Sequence, residues 1–187
     1  MSQSRPLDSA LLLCLDLQPS LLKVIPDAAR VLRRCQFAVA AAEALGMPVA
    51  FTEQVPEKLG PTDPSLLALV ASREVHSKDA FSALEAGSAA RQGLTGSRSL
   101  EHLVLCGVET PVCVFQTAVD AIQAGIPVTV LPDCVGARRD ADATACLAAL
   151  ARAGAHVLPA ETVFYAIVRG ARHPAFRAFN ALVKHYA

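Results

Sequence analysis

The chain has 187 residues, a length typical of one domain and sufficient to bury a sizeable core. Hydrophobic residues make up 53% and charged residues 18%, which excludes a chain too polar to fold. Its 17 basic residues balance its 17 acidic ones, so the charge calls for neither nucleic acid nor an anionic membrane.

The N-terminus reads MSQSRPLDS before the first apolar run, Ala10 to Leu15. That run is too short for a signal-peptide core or a transmembrane helix, so a soluble, cytoplasmic protein is expected. It continues a strand, SALLLCL, that reads as buried on both faces and ends in Asp16. Pro26 and Asp27 then open a helical pattern through Val31, Leu32, Cys35, Val39 and Ala42, stopped by Gly46. PVAFT (48–52) reads as the second strand, and EQVPEKLGPTDP as a loop from its Pro and Gly content. Asp63 caps a short helix with Pro64 at its first position.

EVHSK (74–78) and HLVLCG (102–107) are the third and fourth strands. The Gly-, Ser- and Ala-rich stretch between them, 86–99, carries no clear pattern. A helix is expected over 113–124, a fifth strand over 127–132 and a helix over 140–153. AHVLP is the sixth strand, followed by helices at about 161–168 and 174–183. Strands alternating with helices imply right-handed parallel crossovers. The expected fold is therefore α/β: a single three-layer αβα domain over residues 1–187, with a doubly wound, mostly parallel sheet of about six strands.

In open α/β sheets, ligands bind outside the carboxyl ends of the strands. Asp16 ends the first strand, Lys78 ends the third, and Cys113 follows the fourth after a short turn. Each has a structural alternative: a turn cap, a solvated lysine, a core thiol. Their shared edge is what favours a site. Cys113 sits where GVETPVC gives way to a helix, so the positive helix end and the Lys78 ammonium are expected to favour thiolate. Backbone N–H groups of that turn are candidates for binding an oxyanion.

The segments LDLQ, SKDAFSAL and CGVETPVCV, in that order, resemble the triad motifs of the isochorismatase-like cysteine hydrolases. TEQVPEKLGPT and RHPAF are similar to the isochorismatase domain-containing branch. The resemblance spans nearly the whole chain. It implies that Cys113 attacks a carbonyl, that Asp16 takes and returns its proton, and that Lys78 stabilises the thiolate. A thioacyl intermediate would then be resolved by water, most often in hydrolysis of a small amide. The resemblance also implies an oxyanion hole from the Val112 and Cys113 N–H groups, and a cis peptide at Pro111–Val112.

Nicotinamidases of this superfamily carry an Asp and two His as metal ligands after the second strand. Residues 52–62 contain neither type, so no metal and no cofactor are expected, and nicotinamide is disfavoured as substrate. Isochorismatases proper cleave a vinyl ether without the cysteine, so Cys113 points to the thiol branch. Glu53, Gln54, Gln18 and Phe81 are candidate substrate-orienting residues around a tight pocket for a small molecule.

Two other mechanisms are open to the sequence. A Cys–His dyad would use His76, which shares strand parity with Lys78, whereas His102, His156 and His173 read as structural. A redox-sensing thiol protein would need a resolving cysteine beside Cys113, and the chain has six cysteines without CxxC spacing. A binding protein with an idle site is the third possibility on the same fold. A homo-oligomer is expected, with Phe176, Phe179, Leu182 and Val183 of the last helix as interface candidates.

Overall fold

Six strands form one sheet: β1 (Ala10–Leu15), β2 (Val49–Gln54), β3 (Glu74–Lys78), β4 (His102–Val108), β5 (Val128–Gly136) and β6 (His156–Val157). The structure is a computed structural model that describes residues 9–96 and 100–186. Neighbouring strands all run parallel, in the order β3-β2-β1-β4-β5-β6. The order reverses between β1 and β4, which opens a crevice at their carboxyl ends.

The helices are α1 (Pro19–Leu22), α2 (Ala28–Leu45), α3 (Pro56–Leu59), α4 (Pro64–Leu67), α5 (Ala89–Gly96), α6 (Phe115–Gln123), α7 (Asp140–Arg152), α8 (Ala160–Val168) and α9 (Phe176–Tyr186). Strand β1 shows why the sheet needs two helical layers. Leu12 and Cys14 point into a core shared with α2, α8 and α9. Leu11, Leu13 and Leu15 point into a second core shared with α5, α6 and α7. Five successive apolar residues are thus buried on alternating faces, as a central parallel strand requires. The expected αβα architecture is the observed one.

Several boundaries differ. Strand β2 runs two residues past Thr52, so Glu53 and Gln54 belong to the sheet. One single-turn helix, α3, occupies the segment read as a loop, and α4 is the short helix expected after Asp63, whose side chain accepts from the Ser65 N–H. Strand β5 reaches Gly136 rather than stopping at Pro132, because its register with β4 shifts between Leu105 and Gly107. Such an irregularity accommodates a proline that cannot donate to the ladder. The patternless stretch contains α5, and its residues 97–99 lie outside the described ones. Helix α9 turns its apolar side inward: Phe179 is buried, and Phe176, Leu182 and Val183 pack against the α2 core. Those four side chains serve packing in the chain itself. Among the described residues, no helix is long and apolar enough to cross a membrane.

Candidate active site

Asp16 follows β1 in a left-handed conformation, φ 53°, which aspartate tolerates better than most residues. Its N–H still donates to the Thr52 carbonyl at 3.1 Å, so the ladder holds it at the sheet edge. Lys78 is the last residue of β3, in register with Gln54. Between β4 and α6, residues Thr110–Val114 form a π-helical turn that carries Cys113. Its bonds span five residues: the Val114 N–H donates to the Glu109 carbonyl at 3.2 Å, and the Phe115 N–H to that of Thr110. Turns of this type are rare and concentrate at functional sites. The turn is anchored to the end of β5 twice, by Thr110 Oγ1 donating to Gly136 O and by Arg138 Nε donating to Glu109 Oε2.

The three expected residues converge at this edge, all buried. Lys78 Nζ lies 2.7 Å from Asp16 Oδ2 and 3.6 Å from Cys113 Sγ. It also donates to Gln54 Oε1 at 2.5 Å and to the carbonyls of Phe81 and Ala80 at 3.1 and 3.3 Å. Thr52 Oγ1 donates to the other Asp16 oxygen, Oδ1, at 2.7 Å.

The electrostatics correct one expectation. The Cys113 thiol is pushed up to about 12, by burial first and then by the charge of Asp16; the Lys78 ammonium opposes both without overcoming them. In the resting site the sulfur therefore keeps its proton. The peptide geometry corrects another. The cis bond is Val108–Glu109, not Pro111–Val112. Pro111 and Val112 lie inside the turn, whose helical hydrogen bonding requires trans peptides, and the reversal falls where β4 ends. The Val112 N–H, expected to serve an oxyanion, donates to Glu109 O at 3.0 Å.

The candidate substrate contacts have hydrogen-bond partners within the chain. Gln18 is buried and brackets Gln54, accepting from its N–H at 2.8 Å and donating to its carbonyl at 3.1 Å. It also donates to the Gly60 carbonyl, tying β1 to the loop after α3. Glu53 Oε1 accepts from the Thr62 N–H at 2.7 Å. Gln54 joins Lys78 to the Asp79 carbonyl. Phe81 contributes its carbonyl, and the residue is 53% exposed. Sequence reasoning misses Thr52, although its place at the predicted end of the second strand is the available signal.

His76 pairs with Glu74 at 3.0 Å, and its ring lies against Gly93 of α5. His102 bonds Thr129 and stacks on His156, and His173 accepts from the Ala175 N–H. These contacts use the histidines away from Cys113. The other buried thiols gather beneath the sheet, with Cys14 and Cys106 Sγ atoms 3.4 Å apart and Cys35 donating to Cys134 O. The side chains acting on Cys113 are Asp16 and Lys78. Among the described residues there is no group of three or more His, Cys, Asp or Glu arranged to hold a metal ion.

A cavity of about 280 Å³ borders Lys78, walled by Val55, Pro56, Asp79 and Ser88 at the ends of β2 and β3 and the start of α5. A larger apolar cavity, about 360 Å³, opens at the opposite edge of the sheet around His102 and His156. Of the two, the smaller is the one lined by a member of the Asp16–Lys78–Cys113 group, Lys78.

A family model, Isochorismatase domain, matches residues 9–162. The chain is 36% identical over 186 residues to mouse isochorismatase domain-containing protein 2A, covering 96% of this chain and 84% of that one. The structure of MAR1 ribonuclease from Caenorhabditis elegans superposes with a TM-score of 0.86 at 27% identity, covering 95% and 90% of the two chains. The YcaC gene product of Escherichia coli, an octameric hydrolase of unknown specificity, has the same fold, with a TM-score of 0.82 at 20% identity over 100% and 97% of the chains.

Proposed function

The chain belongs to the isochorismatase family of hydrolases, and from that premise we propose that it cleaves the C–N bond of a small amide through a thioacyl intermediate on Cys113. The observation that carries this reading is the Lys78 ammonium, 2.7 Å from Asp16 Oδ2 and 3.6 Å from Cys113 Sγ at the carboxyl edge of the sheet.

The raised Cys113 thiol supports an order of events in which the proton leaves sulfur during attack rather than before it. Asp16 takes the proton from sulfur as the carbonyl carbon is attacked, then passes it to the departing amine. Lys78 balances the negative charge that moves between carboxylate and sulfur. The developing oxyanion is assigned to the Cys113 N–H, since that of Val112 is engaged by Glu109. Water then releases the acid and regenerates the thiol, with Asp16 as base.

Gln18, Glu53 and Gln54 hold the walls and the ammonium, and Phe81 offers an apolar surface to the substrate. No metal has a role in this scheme. We also infer self-association of a cytoplasmic protein, in line with the octameric E. coli neighbour. The worm neighbour is named a ribonuclease, but the balanced charge of this chain supplies no excess of cations for a phosphate backbone. The test is ammonia release from a panel of small amides, with and without a chelator, run beside an RNA hydrolysis assay. Amide turnover that survives chelation is expected. RNA cleavage without amide turnover would overturn the reading.

A further inference from the structure

Strand β2 lies between the strands that carry Asp16 and Lys78. Its last alternate residues, Thr52 and Gln54, share one face. Thr52 is in register with Leu15 and Gln54 with Lys78, so one strand end reaches both partners of the buried ion pair. Gln54 holds the ammonium, and Thr52 holds the carboxylate.

Thr52 is fully buried, and its hydroxyl gives its proton to Asp16 Oδ1 at 2.7 Å. A hydroxyl donating to a carboxylate stabilises the charged form. With Oδ1 fixed on a β-branched side chain that is stiff at χ1, Oδ2 stays turned to the ammonium at 2.7 Å. The groups facing Asp16 are Thr52 from β2, Lys78 from β3 and Cys113 from the turn after β4. The nearby carboxylate of Glu53 is turned away to the Thr62 N–H.

We propose that Thr52 is a positioning residue that decides where the mobile proton rests. By donating to Asp16 Oδ1 it keeps that proton on sulfur until a carbonyl arrives, and keeps Oδ2 aimed to receive it. The inference rests on the Asp16–Lys78–Cys113 reading. In the step concerned, the S–H bond of Cys113 breaks and an O–H bond forms on Asp16; no other bond changes before attack on the carbonyl.

The readout is the rate of Cys113 alkylation by iodoacetamide across pH, followed by peptide mass spectrometry, which needs no known substrate. A carboxylate without its hydroxyl donor accepts the thiol proton more readily. Thr52→Val should therefore raise the rate at pH 7 by about tenfold, the weight of one hydrogen bond to a charged group. Thr52→Ser should return the rate to that of the parent. In an Asp16→Asn background, where no carboxylate can take the proton, Thr52→Val should change nothing. An unchanged rate in Thr52→Val overturns the inference. So does an acceleration that persists in the Asp16→Asn background, because loosened packing would then be the cause. The underlying triad reading fails separately, if Asp16→Asn and Lys78→Met both leave the Cys113 profile as it was.

Discussion

Replacing Lys78 with methionine tests the buried pair that organises the site. The Lys78 and Asp16 side chains have no solvent exposure, and their charged atoms lie 2.7 Å apart. Methionine keeps the apolar stem and removes the charge. Asp16 would then be a buried anion without its cation, supported only by the neutral Thr52 hydroxyl and Cys113 thiol. Breaking a buried pair in this way costs about 3–5 kcal/mol. For a chain of this length each kcal/mol lowers Tm by about 2–4 °C, so a fall of about 6–20 °C is expected at pH 7.

Denaturant melts of Lys78→Met and the parent at pH 7 should show the same loss. Asp16→Asn/Lys78→Met should recover most of the loss at pH 7. A single variant as stable as the parent at pH 7, or a double variant no better than the single, would refute the argument.

Gly107 sits at φ 118°, and a Cβ there would come 2.1 Å from the Leu15 carbonyl oxygen, next to Asp16. Gly107→Ala should cost at least about 3 kcal/mol, read from chemical denaturation, and should impair the site even where the fold survives. In the free enzyme, alkylation of Cys113 should rise roughly tenfold per pH unit from neutrality, because its thiol is pushed up to about 12 from 9.0. The folded thiol holds its proton more tightly than the unfolded one, so its stabilising contribution is complete below pH 9.0 and is lost between there and about 12. An alkylation plateau near pH 7 would show a standing thiolate instead.

The layered fold is legible in the sequence because short apolar runs such as Leu11–Leu15, alternating with longer segments of helical spacing, fit strands covered on both faces. The edge positions of Asp16, Lys78 and Cys113 follow from the same pattern, since strand ends are set by where the runs stop. The strand order is not legible, and with it goes Thr52, whose role depends on β2 lying between β1 and β3. Polar residues after a strand can face a ligand or the backbone. Gln18 and Glu53 turn to backbone groups, a choice made by loop geometry that one sequence does not display. The sequence misleads on the state of Cys113, because it displays the helix end and Lys78 without the burial and the Asp16 charge that oppose them. The π-helical turn has no periodicity of its own and merges with the helix that follows it.

The central claim is that Cys113 carries the acyl group during turnover. Rapid-quench intact-mass spectrometry, with the best amide of the panel or with p-nitrophenyl acetate, followed by peptide mapping, reads this directly. A single acyl increment should appear on Cys113 within one turnover, decay as product accumulates, and be absent from Cys113→Ala, which should also lose turnover. Turnover with no acyl group on Cys113 at any quench time, or full activity in Cys113→Ala, would contradict the account.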